Sequence, residues 1–273
     1  MTELQSKLLN MLKWLVTFLD EHNIRYYVVG GTFLGAVRHN GFIPWDDDID
    51  IGIPRSDYQL FLKLIKEVDN QYAFECPKNC GSDYIYCYGK LFDTTTTLVE
   101  KQRRPFVRGI FIDVFPLDGL GKEENDAHLF AKKANKKISS YWFKKSAVFR
   151  KGRVWYKNVV SFVCKKIAVL IPSKTPEQID SYCSKNDYES SSFVANLFGR
   201  YGEKEVFPKS VFGLGKKYKF ESIYVNGPEQ YDCYLKQLYG DWKKMPPQSK
   251  RNIQHDFILL DLNKSYLEST HND

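Results

Sequence analysis

The run Asp46-Asp-Asp-Ile-Asp50 puts four carboxylates into five positions, and it restricts the fold more than any other feature of the chain. Like charges this close repel and raise one another's proton affinity, so the run calls for a bound cation or basic partners. Its second half, Asp48-Ile-Asp-Ile-Gly-Ile53, alternates acidic and apolar residues at period two. Read as a strand, it projects Asp48 and Asp50 from one face, sends Ile49 and Ile51 into a core, and stops at Pro54. A second run, Ile110-Phe-Ile-Asp-Val-Phe115, reads as a buried strand carrying one acid, Asp113. Carboxylates on two such strands make a hard, oxygen-rich cage for Mg2+, with Mn2+ as an alternative, and such ions offset the charge of phosphoryl transfer. An isolated Asp-X-Asp would equally suit a solvated strand edge; the crowding favours the metal site.

Upstream, Ile24-Arg-Tyr-Tyr-Val-Val29 reads as a strand stopped by Gly30-Gly31, with a short helix, Thr32 to Arg38, behind it. Bare backbone at such a turn lets a phosphate approach, and helix N-terminal amides point at it. Apolar residues at three-and-four spacing predict helices over Thr2 to Glu21 and Arg55 to Val68. Short strands are expected at Tyr84 to Tyr88 and Thr96 to Val99. Beyond Gly121 the pattern turns helical, over about Glu123 to Lys145 and Val154 to Ile171, and Thr175-Pro-Glu-Gln178 has the form of a capping box. Strand-like pieces return at Phe193 to Phe198 and Tyr218 to Val225, before a last helix, Glu229 to Tyr239. The fold class expected is α+β: a mixed sheet with flanking helices over residues 1–120, then a mainly helical, basic lobe over 121–273 packed on it, facing acceptor or membrane.

The long motif from Gly30-Gly-Thr-Phe-Leu-Gly-Ala-Val-Arg-His-Asn-Gly-Phe-Ile-Pro-Trp to Asp46-Asp-Asp-Ile-Asp50 resembles the signature of the LicD family, phosphocholine transferases related to the fukutin group within the polymerase-β-like nucleotidyltransferases. Gly89-Lys-Leu91, Ile112-Asp-Val-Phe-Pro-Leu-Asp118, Tyr239-Gly-Asp-Trp242 and Pro246-Pro247 with Lys250, Arg251 and His255 extend the likeness over nearly the whole chain. The resemblance implies that Asp48, Asp50 and Asp113 are metal ligands and catalytic, with Asp113 also a candidate to take the acceptor's proton, and that Gly30, Gly31 and Thr32 form the donor-binding turn. It further implies CDP-choline as donor, CMP as product, and a sugar hydroxyl of a lipid-linked glycan, teichoic acid or lipopolysaccharide precursor as acceptor. Other phospho-alcohols, such as ribitol or glycerol phosphate, and nucleotidyl transfer are alternative chemistries of the same fold. The inserted segment His39 to Asp47 is expected to shape a substrate wall.

Arg38, Lys90, Lys250 and Arg251 are candidates to neutralise the diphosphate, and His39 and His255 to bind phosphate or relay a proton. Each is equally readable as an ordinary surface or structural residue. Trp45 could face a quaternary ammonium, which cannot donate hydrogen bonds and therefore needs aromatic faces. Of the 40 basic residues, thirteen fall between Ala127 and Pro176, where no acid occurs, leaving the remainder of the chain mildly acidic. A local basic patch argues for one anionic surface, such as a membrane, and against general nucleic-acid binding. Val154 to Ile171 is too short and too charged to span a bilayer but could lie in its interface. No secretory signal is apparent at Met1-Thr-Glu-Leu-Gln-Ser-Lys7, so a cytoplasmic protein, peripheral on the inner membrane face, is expected. Cys76, Cys80 and Cys87 raise a zinc question, yet with no fourth Cys or His nearby they read as buried thiols.

Overall fold

A computed structural model describes residues 1–67, 71–80, 83–146, 156, 160–165, 174–251 and 257–271. The chain opens with helix α1 (Glu3–Glu21), started by a reciprocal cap. Thr2 Oγ1 accepts from Gln5 N at 3.1 Å, and Gln5 Oε1 accepts from Thr2 N at 3.0 Å. Two N-terminal donors that the helix cannot satisfy are thereby paired. Its apolar stripe, Leu8, Met11, Leu12, Leu15 and Leu19, is fully buried.

Strand β1 (Tyr27–Val28) leads into helix α2 (Gly30–His39), then come strand β2 (Asp50–Pro54), helix α3 (Arg55–Leu64), and strands β3 (Tyr72–Glu75), β4 (Gly89–Asp93), β5 (Thr97–Glu100), β6 (Phe106–Arg108) and β7 (Phe111–Gly119). The central sheet runs β1-β2-β7-β4-β3, with β2 and β7 parallel and the other neighbours antiparallel. All nine residues of β7 are buried, as suits a strand paired on both sides and covered on both faces.

After β7 the chain forms helices α4 (Glu124–Lys145) and α5 (Pro176–Cys183), strands β8 (Phe193–Ala195) and β9 (Val206–Pro208), the hairpin β10 (Lys216–Phe220) and β11 (Ile223–Gly227), helix α6 (Tyr231–Tyr239) and strand β12 (Phe257–Asp261). β8 pairs with the end of β7, Asp118 facing Ala195, and β9 pairs with β8. The sheet therefore continues past residue 120 into the second half. β12 pairs with β5, so that half carries more strand than the helical reading of the sequence anticipates. Two-residue pairings and short hairpins leave little periodic signal, which is why helices dominated the reading.

The α+β class and most element positions agree with the sequence. Differences are local. Helix α2 begins at Gly30, so the glycine pair forms its first turn and does not precede it. The ladder of β2 starts at Asp50, although Asp113 N still donates to Ile49 O at 2.9 Å and keeps the chain beside β7. Tyr84 to Tyr88 is no strand; its alternation reflects ring packing, with centroids of Tyr84 and Tyr86 5.8 Å apart and of Tyr86 and Tyr88 5.5 Å apart. The capping box at Thr175 and Gln178 is present. Helix Val154 to Ile171 falls mostly outside the described residues. All six cysteines are free thiols.

A buried ion triad ties the halves. Arg55, at the start of α3, donates from Nε to Asp118 Oδ1 at 2.6 Å and from a terminal nitrogen to Asp180 Oδ1 of α5 at 2.8 Å. All three are at most 5% exposed. A charge this deep persists only where partners satisfy it.

Candidate active site

The acids meet at the C-terminal end of β1, where the chain turns into α2. Register places Asp50 opposite Asp113 on the parallel neighbour, and Asp113 opposite Lys90 on the antiparallel one. Asp48 precedes Asp50 on the same face, and Ile49, Ile51 and Ile53 are wholly buried behind them. One ligand atom each of Asp46, Asp47 and Asp48 lies within 4.8 Å of the others. The loop bearing them is held by Gln5, whose Nε2 donates to Asp46 O at 2.9 Å and Ile43 O at 3.4 Å. The first turn of α1 thus positions the acids, a long-range connection that no local pattern encodes.

Burial pushes the Asp50 carboxyl well above its usual range, helped by Asp48, Asp113 and Asp46 and opposed by Lys90. Asp113 is also raised, by burial first, against the lowering effect of Lys90. Lys90 Nζ stands 2.6 Å from Asp113 Oδ1, a charge-assisted contact that favours the ionised carboxylate. Buried, crowded carboxylate oxygens of this kind form a donor set suited to a hard divalent cation, and Asp46, Asp48, Asp50 and Asp113 are the residues that could hold one.

The glycine pair has a steric reason. Gly30 has φ +55°, and a methyl there would lie 2.8 Å from Asp50 Oδ2; one on Gly31 would lie 2.9 Å from Asp46 Oδ2. The Gly30 N–H donates to Tyr234 Oη at 3.1 Å. Thr32 Oγ1 accepts from Asp50 N at 2.9 Å, locking the helix to the acid strand.

Gly30, Gly31, Asp46, Asp48, Asp50 and Asp113 line a cavity of about 550 Å3 that also includes Arg38 and Trp45. Arg38 donates to Trp242 O at 2.9 Å and to His39 Nε2 at 3.0 Å; burial, then Arg38, lowers the proton affinity of His39. The Arg251 guanidinium lies 5.5 Å over the Trp45 ring, so that face already carries a cation. Lys90 is 2% exposed and sits among Tyr86, Tyr88 and Phe111 behind Asp113. Its charge reaches the cavity only through that carboxylate, not by direct contact with a diphosphate. Lys250 falls in the 3-10 turn Gln248–Lys250, and His255 lies outside the described residues. Of the insert, Ile43, Trp45 and Asp46 line the cavity, and Glu221 at the β10–β11 turn anchors it by accepting from Phe42 N at 3.0 Å.

The cavity is completed by residues to which sequence reasoning assigned no site role: Asn196, Phe198 to Tyr201, Glu205, Tyr239 and Trp242. Tyr88 links them to the acids, its hydroxyl 3.4 Å from Asp113 Oδ2 and its ring 6.0 Å from that of Phe198. Among the described residues, no Cys or His cluster has the spacing of a metal site, and no helix is long and apolar enough to cross a membrane.

Residues 23–160 match the family model described as LicD/FKTN/FKRP, nucleotidyltransferase domain. The lipopolysaccharide cholinephosphotransferase LicD of Haemophilus influenzae is 29% identical over 263 residues, covering 94% of this chain and 97% of that protein. The human ribitol 5-phosphate transferase FKRP is 44% identical over 45 residues, 16% of this chain and 9% of FKRP. An uncharacterized protein of Rickettsia typhi is 35% identical over 106 residues, 39% of this chain and 32% of its own length.

Proposed function

Since the chain belongs to the LicD/FKTN/FKRP nucleotidyltransferase-domain family, we propose that it transfers phosphocholine from CDP-choline to a sugar hydroxyl of a glycan precursor, releasing CMP. The observation that carries this reading is the joining of two chemistries in one cavity: a buried carboxylate cluster and, around the same space, the rings of Phe198, Tyr201 and Tyr239. The first suits a diphosphate with Mg2+, the second an alkylammonium. Similarity to a cholinephosphotransferase along 94% of the chain supports the donor's identity. The volume, about 550 Å3, fits a small-molecule site.

In this reading Asp46, Asp48, Asp50 and Asp113 hold Mg2+, which offsets charge on the diphosphate. Gly30 and Gly31 leave room for those carboxylates beside the helix start, and Arg38 adds a cation at the rim. The sugar oxygen bonds to the choline-bearing phosphorus as the bond to the CMP oxygen breaks. The hydroxyl proton passes to a carboxylate of the cluster, with Asp113 the candidate. The FKRP match over 45 residues supports a second reading, transfer of ribitol phosphate by the same residues. Lysines on the outer face of α4, including Lys132, Lys133 and Lys136, would suit an acceptor carried on an anionic membrane.

CMP release from CDP-choline, with Mg2+ and a membrane-lipid acceptor fraction, tests the proposal. Release dependent on both the metal and Asp48, lost in Asp48→Ala, is the expected result. Activity with CDP-ribitol or CDP-glycerol but none with CDP-choline would overturn the choline assignment. Pyrophosphate release from a nucleoside triphosphate would replace the reaction.

A further inference from the structure

Glu205 ends a 3-10 turn (Gly202–Glu205) directly before β9 and lines the same cavity as the aspartates. It is 4% exposed. Among the described residues no Lys, Arg or His pairs with it, and its one hydrogen-bond partner is the backbone N–H of Tyr201. A buried carboxylate without a counter-charge is unfavourable, and proteins keep one mainly where a ligand or reaction uses it. Glycine at 199 makes room for it, since a methyl there would overlap Glu205 Oε1.

Aromatic rings surround the carboxylate. Tyr201 and Tyr239 pack edge to face, centroids 5.2 Å apart at 75°, and both line the cavity together with Phe198. Tyr201 and Tyr234 feel the charge of both Glu205 and Asp50, so these rings lie near both groups of acids. None of these hydroxyls is a cation, and the Arg200 side of the loop interacts with Tyr201, not with Glu205. A methylated ammonium has no N–H to donate; it is held by ring faces and by an unneutralised carboxylate that need not hydrogen-bond to it. This wall supplies both, whereas the Trp45 ring is already covered by Arg251.

We propose that Glu205, Tyr201, Tyr239 and Phe198 form the pocket for the quaternary ammonium end of the transferred alcohol, and so set the preference for choline over uncharged alcohols. The inference rests on the phospho-alcohol reading above. Its test therefore includes a probe that needs no nucleotide. Tetramethylammonium binding to the full chain above about pH 8, where the Glu205 carboxylate forms, followed by tyrosine and tryptophan fluorescence, is expected to saturate in the wild type and to weaken at least tenfold, or about 1.4 kcal/mol, in Glu205→Gln and in Tyr201→Leu. In parallel, calorimetry with Mg2+ compares CDP-choline, its neutral isostere CDP-3,3-dimethylbutanol, and CMP. The wild type should prefer the charged donor about tenfold or more, and Glu205→Gln should erase that preference while CMP affinity stays the same. Wild-type protein that ignores tetramethylammonium overturns the pocket whatever the donors do. Equal losses for charged and neutral donors in Glu205→Gln also overturn it, and assign Glu205 to proton transfer or structure. Tetramethylammonium binding without any cytidine nucleotide binding would retain the pocket and overturn the CDP-donor reading.

Discussion

Replacing Glu205 by glutamine should stabilise the protein, and by an amount that grows with pH. Burial pushes the Glu205 carboxyl from the ordinary 4.5 up to about 8, with the Tyr201 N–H bond only partly opposing it. The unfolded chain loses this proton near pH 4.5, while the folded chain keeps it until about pH 8. Between those values the folded state binds more protons, so stability falls as pH rises. Each unit is worth 1.36 kcal/mol, which gives an upper bound of about 5 kcal/mol across the window and about 3 kcal/mol at pH 7. The neighbouring Tyr201 and Tyr234 are themselves raised above the usual tyrosine range and stay neutral throughout. Glutamine keeps an acceptor for the Tyr201 N–H and carries no charge to desolvate. Urea unfolding of both proteins at pH 5, 6, 7 and 8 measures the difference, which should be small at pH 5 and reach a few kcal/mol at pH 8. A pH-independent difference, or a variant less stable than wild type at pH 8, would refute the account of Glu205 as an uncompensated buried acid. By the same linkage, tetramethylammonium affinity should rise toward pH 8 as the carboxylate forms.

Three further outcomes follow from the site and its supports. Gly31→Ala places a methyl 2.9 Å from Asp46 Oδ2 at an unstrained φ; displacing that carboxylate should lower kcat/KM at least about tenfold with only a small fall in Tm, and unchanged kinetics would show that Asp46 does not take part. Arg55→Ala leaves Asp118 buried without its ion-pair partner and Asp180 with only Lys78, 3.5 Å away, and should cost about 3–5 kcal/mol, read by urea unfolding at pH 7; a loss below about 1 kcal/mol would mean that water or Lys78 compensates the acids. Millimolar Mg2+ should raise the Tm of the wild type and not of Asp48→Ala, as expected when a ligand binds only the folded state; equal shifts in both would remove Asp48 from the metal set.

How much could be read in advance varied with how local the cause was. The acid strand, α1, α4 and the cap at Thr175 were legible because period and capping are written within a few residues. The clustering of the carboxylates was legible because Asp46 to Asp50 crowds four acids into five positions. The partner wall was not: Arg200-Tyr-Gly-Glu-Lys-Glu205 looks like a charged surface turn, and only the sheet pairing of β8 with β7 brings it to the cavity that Asp113 lines. A signal for Glu205 lay in its position directly before the buried pair Val206-Phe207. Lys90 was read as a phosphate ligand, yet it sits within the fully buried strand β4, where a lysine has to point at an acid. The glycine pair was located correctly, but the groups crowding it are the site's own carboxylates, a three-dimensional fact that no spacing encodes.

Strand β7 gives the site a fixed scale. It carries Asp113 near one end, and at the other Asp118 and Gly119 pair with Ala195 and Val194, only one residue before the loop that holds Phe198, Tyr201 and Glu205. β8 runs antiparallel to β7, so beyond Ala195 the chain heads back alongside β7 toward Asp113, and Tyr88 spans what remains, its hydroxyl 3.4 Å from Asp113 Oδ2 and its ring 6.0 Å from that of Phe198. With Arg55 gripping Asp118 at the far end of β7, the path of that return is set by backbone pairing more than by adjustable side chains. A longer alcohol cannot be accommodated by trimming one ring alone. Relatives that handle longer alcohols should differ in the length and path of residues 196–205, leaving the strand and its arginine clasp as they are.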